Sequence, residues 1–173
     1  RTSSSAASDV YKRQLLNSPF FVDRFVQRSA AHLSNTFFAE RMNSIVDSLG
    51  SMINLEMPRH IDRWGNEGGI PSMNIWDSAL DEIKQFAENR STIVQNQMMD
   101  ELNLEGTIEI TVNVQPQGAG KILLNDVPII HPEGEGKFFK NKPLHLTVFP
   151  KPGYQFVGWD GGSDSTTITY HCA

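Results

Sequence analysis

Leu102-Asn103-Leu104-Glu105-Gly106-Thr107-Ile108-Glu109-Ile110-Thr111-Val112-Asn113-Val114 is where the chain changes character. Ile108, Ile110, Val112 and Val114 alternate with Glu109, Thr111 and Asn113, the period of two that places every second side chain on one face of a strand. Before Leu102 the apolar residues instead recur at spacings of three, four and seven, the repeat of a helix with one buried face. The stretch therefore predicts two unlike segments in series, an α+β chain with helices over 15–104 and a small β-rich module over 107–173.

Downstream of the boundary, strands are expected at Lys121–Leu124, Lys137–Phe139, Leu144–Phe149, Tyr154–Trp159 and Thr166–Tyr170. Gly, Pro and Asn-Asp turns separate them. Upstream, Ser18 is placed to cap a helix with Pro19 at its first position, and Phe21, Val22, Phe25, Val26 and Leu33 form its apolar stripe. A second helix runs from about Thr36 through Phe38, Met42, Ile45, Val46, Leu49 and Ile53, with Gly50 marking its end. Pro58 implies a kink or a fresh start for a third, short helix over Leu55–Trp64. After the Gly65–Pro71 loop, Ser72 or Asn74 caps a fourth, with Trp76, Ala79, Leu80, Ile83, Phe86 and Ala87 as its apolar face. A fifth extends over Ser91–Leu102.

Basic residues divide at the same boundary. Six Arg and one Lys lie between Leu15 and Glu105, whereas five Lys and no Arg follow. Those two parts carry 13 and 6 acidic residues respectively, so most of the net charge of -5 belongs to the helical part. An acidic chain has no field to attract nucleic acid or anionic lipid, and no apolar run approaches the length of a membrane span. A lone cysteine, Cys172, excludes an internal disulfide and a cysteine-based zinc site made by this chain alone. Residues 1–14, rich in Ser and Ala and without periodicity, resemble the translated adapter remnant at the ends of metagenomic gene fragments, and are set apart as a non-native or disordered leader.

The densest polar constellation is Glu56-Met57-Pro58-Arg59-His60-Ile61-Asp62-Arg63-Trp64. A helix there brings Arg59 and Arg63 onto one face, with Glu56 as their internal partner, which reads as a salt-bridge cluster rather than a ligand site. No Ser, Cys or Asp stands in a triad relation to His60, and His32, His131, His145 and His171 are too scattered to hold a metal. Gly65-Asn66-Glu67-Gly68-Gly69 and Gly118-Ala119-Gly120-Lys121 lack the order of a phosphate-binding loop and read as turns. Asp160-Gly161-Gly162-Ser163-Asp164 lacks the ligand count of a calcium loop, and a hairpin turn is expected there. No catalytic, cofactor-binding or metal-binding residue is assigned.

Taken in order, Asn17-Ser18-Pro19-Phe20-Phe21 with Phe25 and Arg28, Asn35-Thr36-Phe37-Phe38, Met57-x-x-His60-Ile61-x-Arg63-Trp64-Gly65, Trp76 and Phe86-Ala87-x-x-Arg90 resemble the C-terminal end of a CotH (spore coat protein H) domain over about Leu15–Leu104. CotH proteins are similar to atypical secretory-type protein kinases. The resemblance implies a partial, helical kinase-like C-lobe whose ATP- and metal-binding motifs lie in a missing N-terminal part. ATP and a divalent metal are then implied for the parent only if it is an active kinase, and none for this part.

Further on, Ala119-Gly120-Lys121-Ile122-x-Leu124-Asn125 and Leu144-x-Leu146-Thr147-Val148-x-Pro150-x-Pro152-Gly153-Tyr154-x-Phe156-Val157-Gly158-Trp159-x-Gly161 are similar to divergent InlB B-repeats of bacterial surface proteins. That resemblance implies an extracellular or cell-surface protein in which the module is a spacer or contact surface, with cell-envelope or coat proteins as partners. The alternative is a non-catalytic adhesion or carbohydrate-binding surface protein.

Overall fold

A computed structural model describes residues 13–160 and 162–172; residues 1–12, most of the expected leader, lie outside the described residues. Helices come first, as α1 (Pro19–Asn35), α2 (Ala39–Asn54), α3 (Met57–Trp64) and α4 (Met73–Leu102). Strands follow, as β1 (Thr107–Thr111), β2 (Gly120–Leu124), β3 (Val127–Pro128), β4 (Glu135–Phe139), β5 (Pro143–Pro150) and β6 (Thr167–His171). The α+β layout in series is the expected one.

Cα packing divides the chain into two compact units, and not at the sequence boundary. One takes in the chain up to Thr36 together with Gln97–Ala173, and the other is Phe37–Asn96. Helix α1 thus belongs with the strands.

In the first unit, β3-β2-β5-β6 form an antiparallel sheet and β1 pairs with β4 in a two-stranded one. Asn125 and Asp126, both at positive φ (47° and 68°), make the tight turn joining β2 to β3. Val112 N–H bonds to Gly134 C=O, and Lys140 N–H to Gly106 C=O. In an antiparallel ladder this leaves the backbone groups of Lys137 and Phe139 pointing away from β1, along the open edge of β4.

Helix α1 covers that edge. Ser34 Oγ accepts from Lys137 N–H at 3.1 Å. Two turns earlier Gln27 accepts from Phe139 N–H through Oε1 at 3.0 Å and donates through Nε2 to the carbonyls of Phe139 (3.1 Å) and Lys142 (3.0 Å). Side chains thereby substitute for a missing strand, one of the ways proteins blunt an exposed sheet edge. Asn35 Oδ1 accepts from the amides of Ile130 and His131 in the loop after β3. So close an approach needs small residues. Ala30 and Ala31 are fully buried against Phe138 and Phe139, and a Cβ on Gly136 would stand 3.0 Å from that of Ser34.

The face α1 buries is consequently Val26, Gln27, Ala30, Ala31 and Asn35, which keeps Val26 of the predicted stripe, with Val22 packed on the core, but not its phenylalanines. Phe20 and Phe25 are exposed, and Phe21 stacks on Phe25 with ring centres 5.9 Å apart. Ser18 caps the helix through Phe21 N–H with Pro19 in the first turn, as expected. Leu124, Val127, Leu144, Leu146 and Cys172 complete the core, and Met98, Met99 and Leu102 from the end of α4 pack on it.

Phe37–Asn96 is all helical. Asn43–Glu88, Gly50–Leu80 and the 2.5 Å Asp47–Lys84 ion pair run in opposite senses along the two chains, so α2 and the first part of α4 are antiparallel. Gly50 does not end its helix: it is buried mid-helix, where a Cβ would lie 3.0 Å from Leu80 Cδ1. The expected fourth and fifth helices are one 30-residue helix. No Pro or Gly interrupts Ala87–Ser91, and Asn89 folds its amide back onto Gln85 C=O at 2.8 Å instead of breaking the turn. Ser72, rather than Asn74, supplies the cap through Ile75 N–H. Helix α3 is a fresh start at Pro58, one of the two outcomes that residue allows.

The predicted Tyr154–Trp159 strand is not formed. Strand β5 already has β2 on one edge and β6 on the other, so no ladder is open to a further strand there. The segment instead forms a looped arm, closed by Trp159 N–H to Ser163 C=O (2.8 Å) and Gly162 N–H to Trp159 C=O (3.0 Å).

Candidate functional site

The arm builds a concavity of mixed aromatic and polar lining in the strand-bearing unit. After β5, Pro152-Gly153 (φ 87° at Gly153) reverses the chain, and Tyr154 N–H closes the turn on Lys151 C=O. Lys151 N–H in turn bonds to Ala119 C=O, holding the arm beside the start of β2. At Gly158 φ is 156° and a Cβ would come within 3.1 Å of Ser163 C=O, so glycine is required for the chain to pass. Trp159 is then fixed by its indole N–H on Ser165 C=O at 2.8 Å and by the edge of Phe156, 5.5 Å away at 65°.

A groove of about 250 Å³ lies between this arm and the segment leaving β1. Tyr154, 52% exposed, Phe156 and Trp159 give it an aromatic side, and Asn113, Gln115, Gln155 and Asp160 border it with polar groups. None of those four side chains hydrogen-bonds to another described residue, so their donors and acceptors remain free for solvent or ligand. Trp159 and Asp160 also border a second, larger groove of about 850 Å³ floored by Ile110, Leu144, Leu146 and Ile168.

Of the residues weighed from sequence, Ala119, Gly120 and Asp160 line the groove, while the charged helix cluster and the histidines lie elsewhere. In α3, Arg59 reaches Glu56 at 3.8 Å with both side chains well exposed, and Arg63 lies over the Trp64 ring at 4.9 Å. The cluster is a solvated helix face. His32 Nδ1 meets Thr36 Oγ1 at 3.0 Å, His145 Nδ1 meets Thr169 Oγ1 at 2.9 Å, and His131 Nδ1 accepts from Glu133 N–H. Each thus has a local role, and the described residues contain no group of three metal-ligating side chains. Gly68 and Gly118, at φ 83° and 82°, serve turns. Gly161 lies outside the described residues, so the expected Asp160–Asp164 turn is seen only through its flanks, where Ser163 closes on Trp159.

Two groups have shifted acidity. Lys84 is held above the ordinary lysine range by its hydrogen bond to Asp47, reinforced by the charges of Asp47 and Asp81. Burial pushes the Cys172 thiol up, partly offset by the Gln27 amide at 3.6 Å. Neither faces the groove.

The element order and the helix-capped sheets define a two-unit α+β protein. The chain belongs to the CotH family: the family model described as CotH kinase protein matches residues 2–94. That match begins within the leader set apart by composition and takes in α1, α2, α3 and most of α4, while every strand falls outside it. No curated protein and no solved structure matches the chain.

Proposed function

We propose that this chain is a supporting, non-catalytic part of a CotH-type kinase-like domain in a secreted or cell-surface bacterial protein, with the strands serving as a spacer or contact module. The observation that carries this reading is the surface of Phe37–Asn96. Leu49, Met52, Leu55, Ile75, Ile83 and Phe86 are all at least half exposed, Leu55 by 91%, and among its hydrophobic residues only Met57 is buried. Apolar faces of this extent are expected to be covered. The remainder of a kinase-like domain is the occupant that the family supplies, and nucleotide and divalent metal would be bound there if the whole protein is an active kinase. The surface location rests on the resemblance of Leu144–Gly161 to InlB B-repeats.

Thermal-shift and fluorescence titrations test the reading on the chain itself. Anilinonaphthalene sulfonate should bind it strongly, and less so after Phe86→Glu with Leu55→Glu. MgATP should leave the melting temperature unchanged. A saturable MgATP stabilisation of this chain alone would place nucleotide binding here and overturn the supporting role.

A further inference from the structure

The groove beside Trp159 is not accounted for by a supporting role, and we propose that it is a binding site for a short neutral oligosaccharide. Three properties select that ligand. The aromatic side, led by the exposed Tyr154 and by Trp159, offers flat apolar surface of the kind on which the C–H face of a pyranose rests. Asn113, Gln115 and Gln155 each present both a donor and an acceptor, and Asp160 presents acceptors only, a mixture that matches hydroxyl groups able to give and take hydrogen bonds. No lysine or arginine borders the groove among the described residues, and its one charged group is a carboxylate, so anionic sugars, phosphates and nucleic acids are disfavoured.

The site is also held in place rather than left to the arm's own flexibility. Trp159 is positioned by three hydrogen bonds at its own backbone and indole, and Phe156 abuts it. Prior ordering of this kind lowers the entropic cost of capturing a weakly binding sugar. The volume, about 250 Å³, suits one or two sugar rings with the remainder lying along the arm.

A neutral-glycan array probed with the full chain, followed by 15N–1H NMR titration with the best trisaccharide found, tests the proposal. Binding should be saturable with a dissociation constant of about 0.1–10 mM, shifting the Trp159 indole N–H and the side-chain amides of Gln115 and Gln155. Tyr154→Ala and Gln155→Ala, both at exposed positions, should each weaken it about five- to tenfold while the melting temperature is kept. Trp159→Phe keeps the packing and removes the indole, so it should weaken binding without unfolding. Absence of binding to any neutral glycan, shifts indifferent to Tyr154→Ala, or saturation of the groove only by a Pro-x-x-Pro peptide would overturn it.

Discussion

Replacing Gln27 by leucine keeps the volume of a fully buried side chain and removes its polar head. Three backbone groups lose their partner at once: Phe139 N–H, Phe139 C=O and Lys142 C=O. Each buried orphan costs about 1–3 kcal/mol, and partial access for water at the less buried Lys142 trims the sum, leaving about 3–5 kcal/mol. Urea denaturation followed at a strand-sensitive signal measures it. Gln27→Glu sharpens the result, because the carboxylate still accepts from Phe139 N–H but faces two carbonyls with no proton to give. Its acidity is then weakened in the folded state, so it destabilises at neutral pH and the loss is recovered as pH falls through its folded pKa. A Gln27→Leu loss below about 1 kcal/mol, or a Gln27→Glu protein as stable at pH 7 as at pH 5, would refute the role of α1 as the edge cap of β4.

Gly134 stands at φ 67° and a Cβ added there would run into Val112 C=O, so Gly134→Ala should cost about 2–4 kcal/mol in the same assay and weaken the β1·β4 pair first. Cys172 should resist iodoacetamide in the native chain and react fully in urea, since its thiol is both buried and harder to ionise. A thiol whose folded pKa is raised contributes stability that is intact below the unfolded value of about 8.5 and fades as pH rises above it. Melting temperatures should therefore fall more between about pH 8 and 10 in the native chain than in Cys172→Ala.

Much of the local structure was legible because its signals are local. Ser18-Pro19 sets a helix start by its own chemistry, the alternation from Ile108 to Val112 sets a strand, and Asn125-Asp126 sets a turn. What α1 packs against was not legible. Phe21 and Phe25 are the strongest apolar signals in its predicted stripe, yet Phe25 is exposed, because the partner is a strand edge some 110 residues away in sequence that demands small residues and amides. Gln27 and Ser34 look like ordinary surface positions until that edge is known. Gly50 was misread for the same reason, since a glycine inside a helix serves a neighbour, here Leu80. The groove was passed over because Tyr154, Phe156 and Trp159 read as alternating strand residues packed into a core, and only the lack of a free ladder beside β5 turns them into an arm. The signal that could have found it was Pro152-Gly153 followed by Gly158 and Gly161-Gly162, too many breakers for a strand.

Native-state hydrogen exchange on the whole chain addresses the composite unit most directly. If α1 and the strands fold as one, the amides of Val26–Ala31 and those at the centres of β2, β4 and β5 should exchange through a common opening of equal free energy, and Gln27→Leu should lower all of them together. Strands that keep full protection while the α1 amides exchange through a separate opening of lower free energy would contradict it.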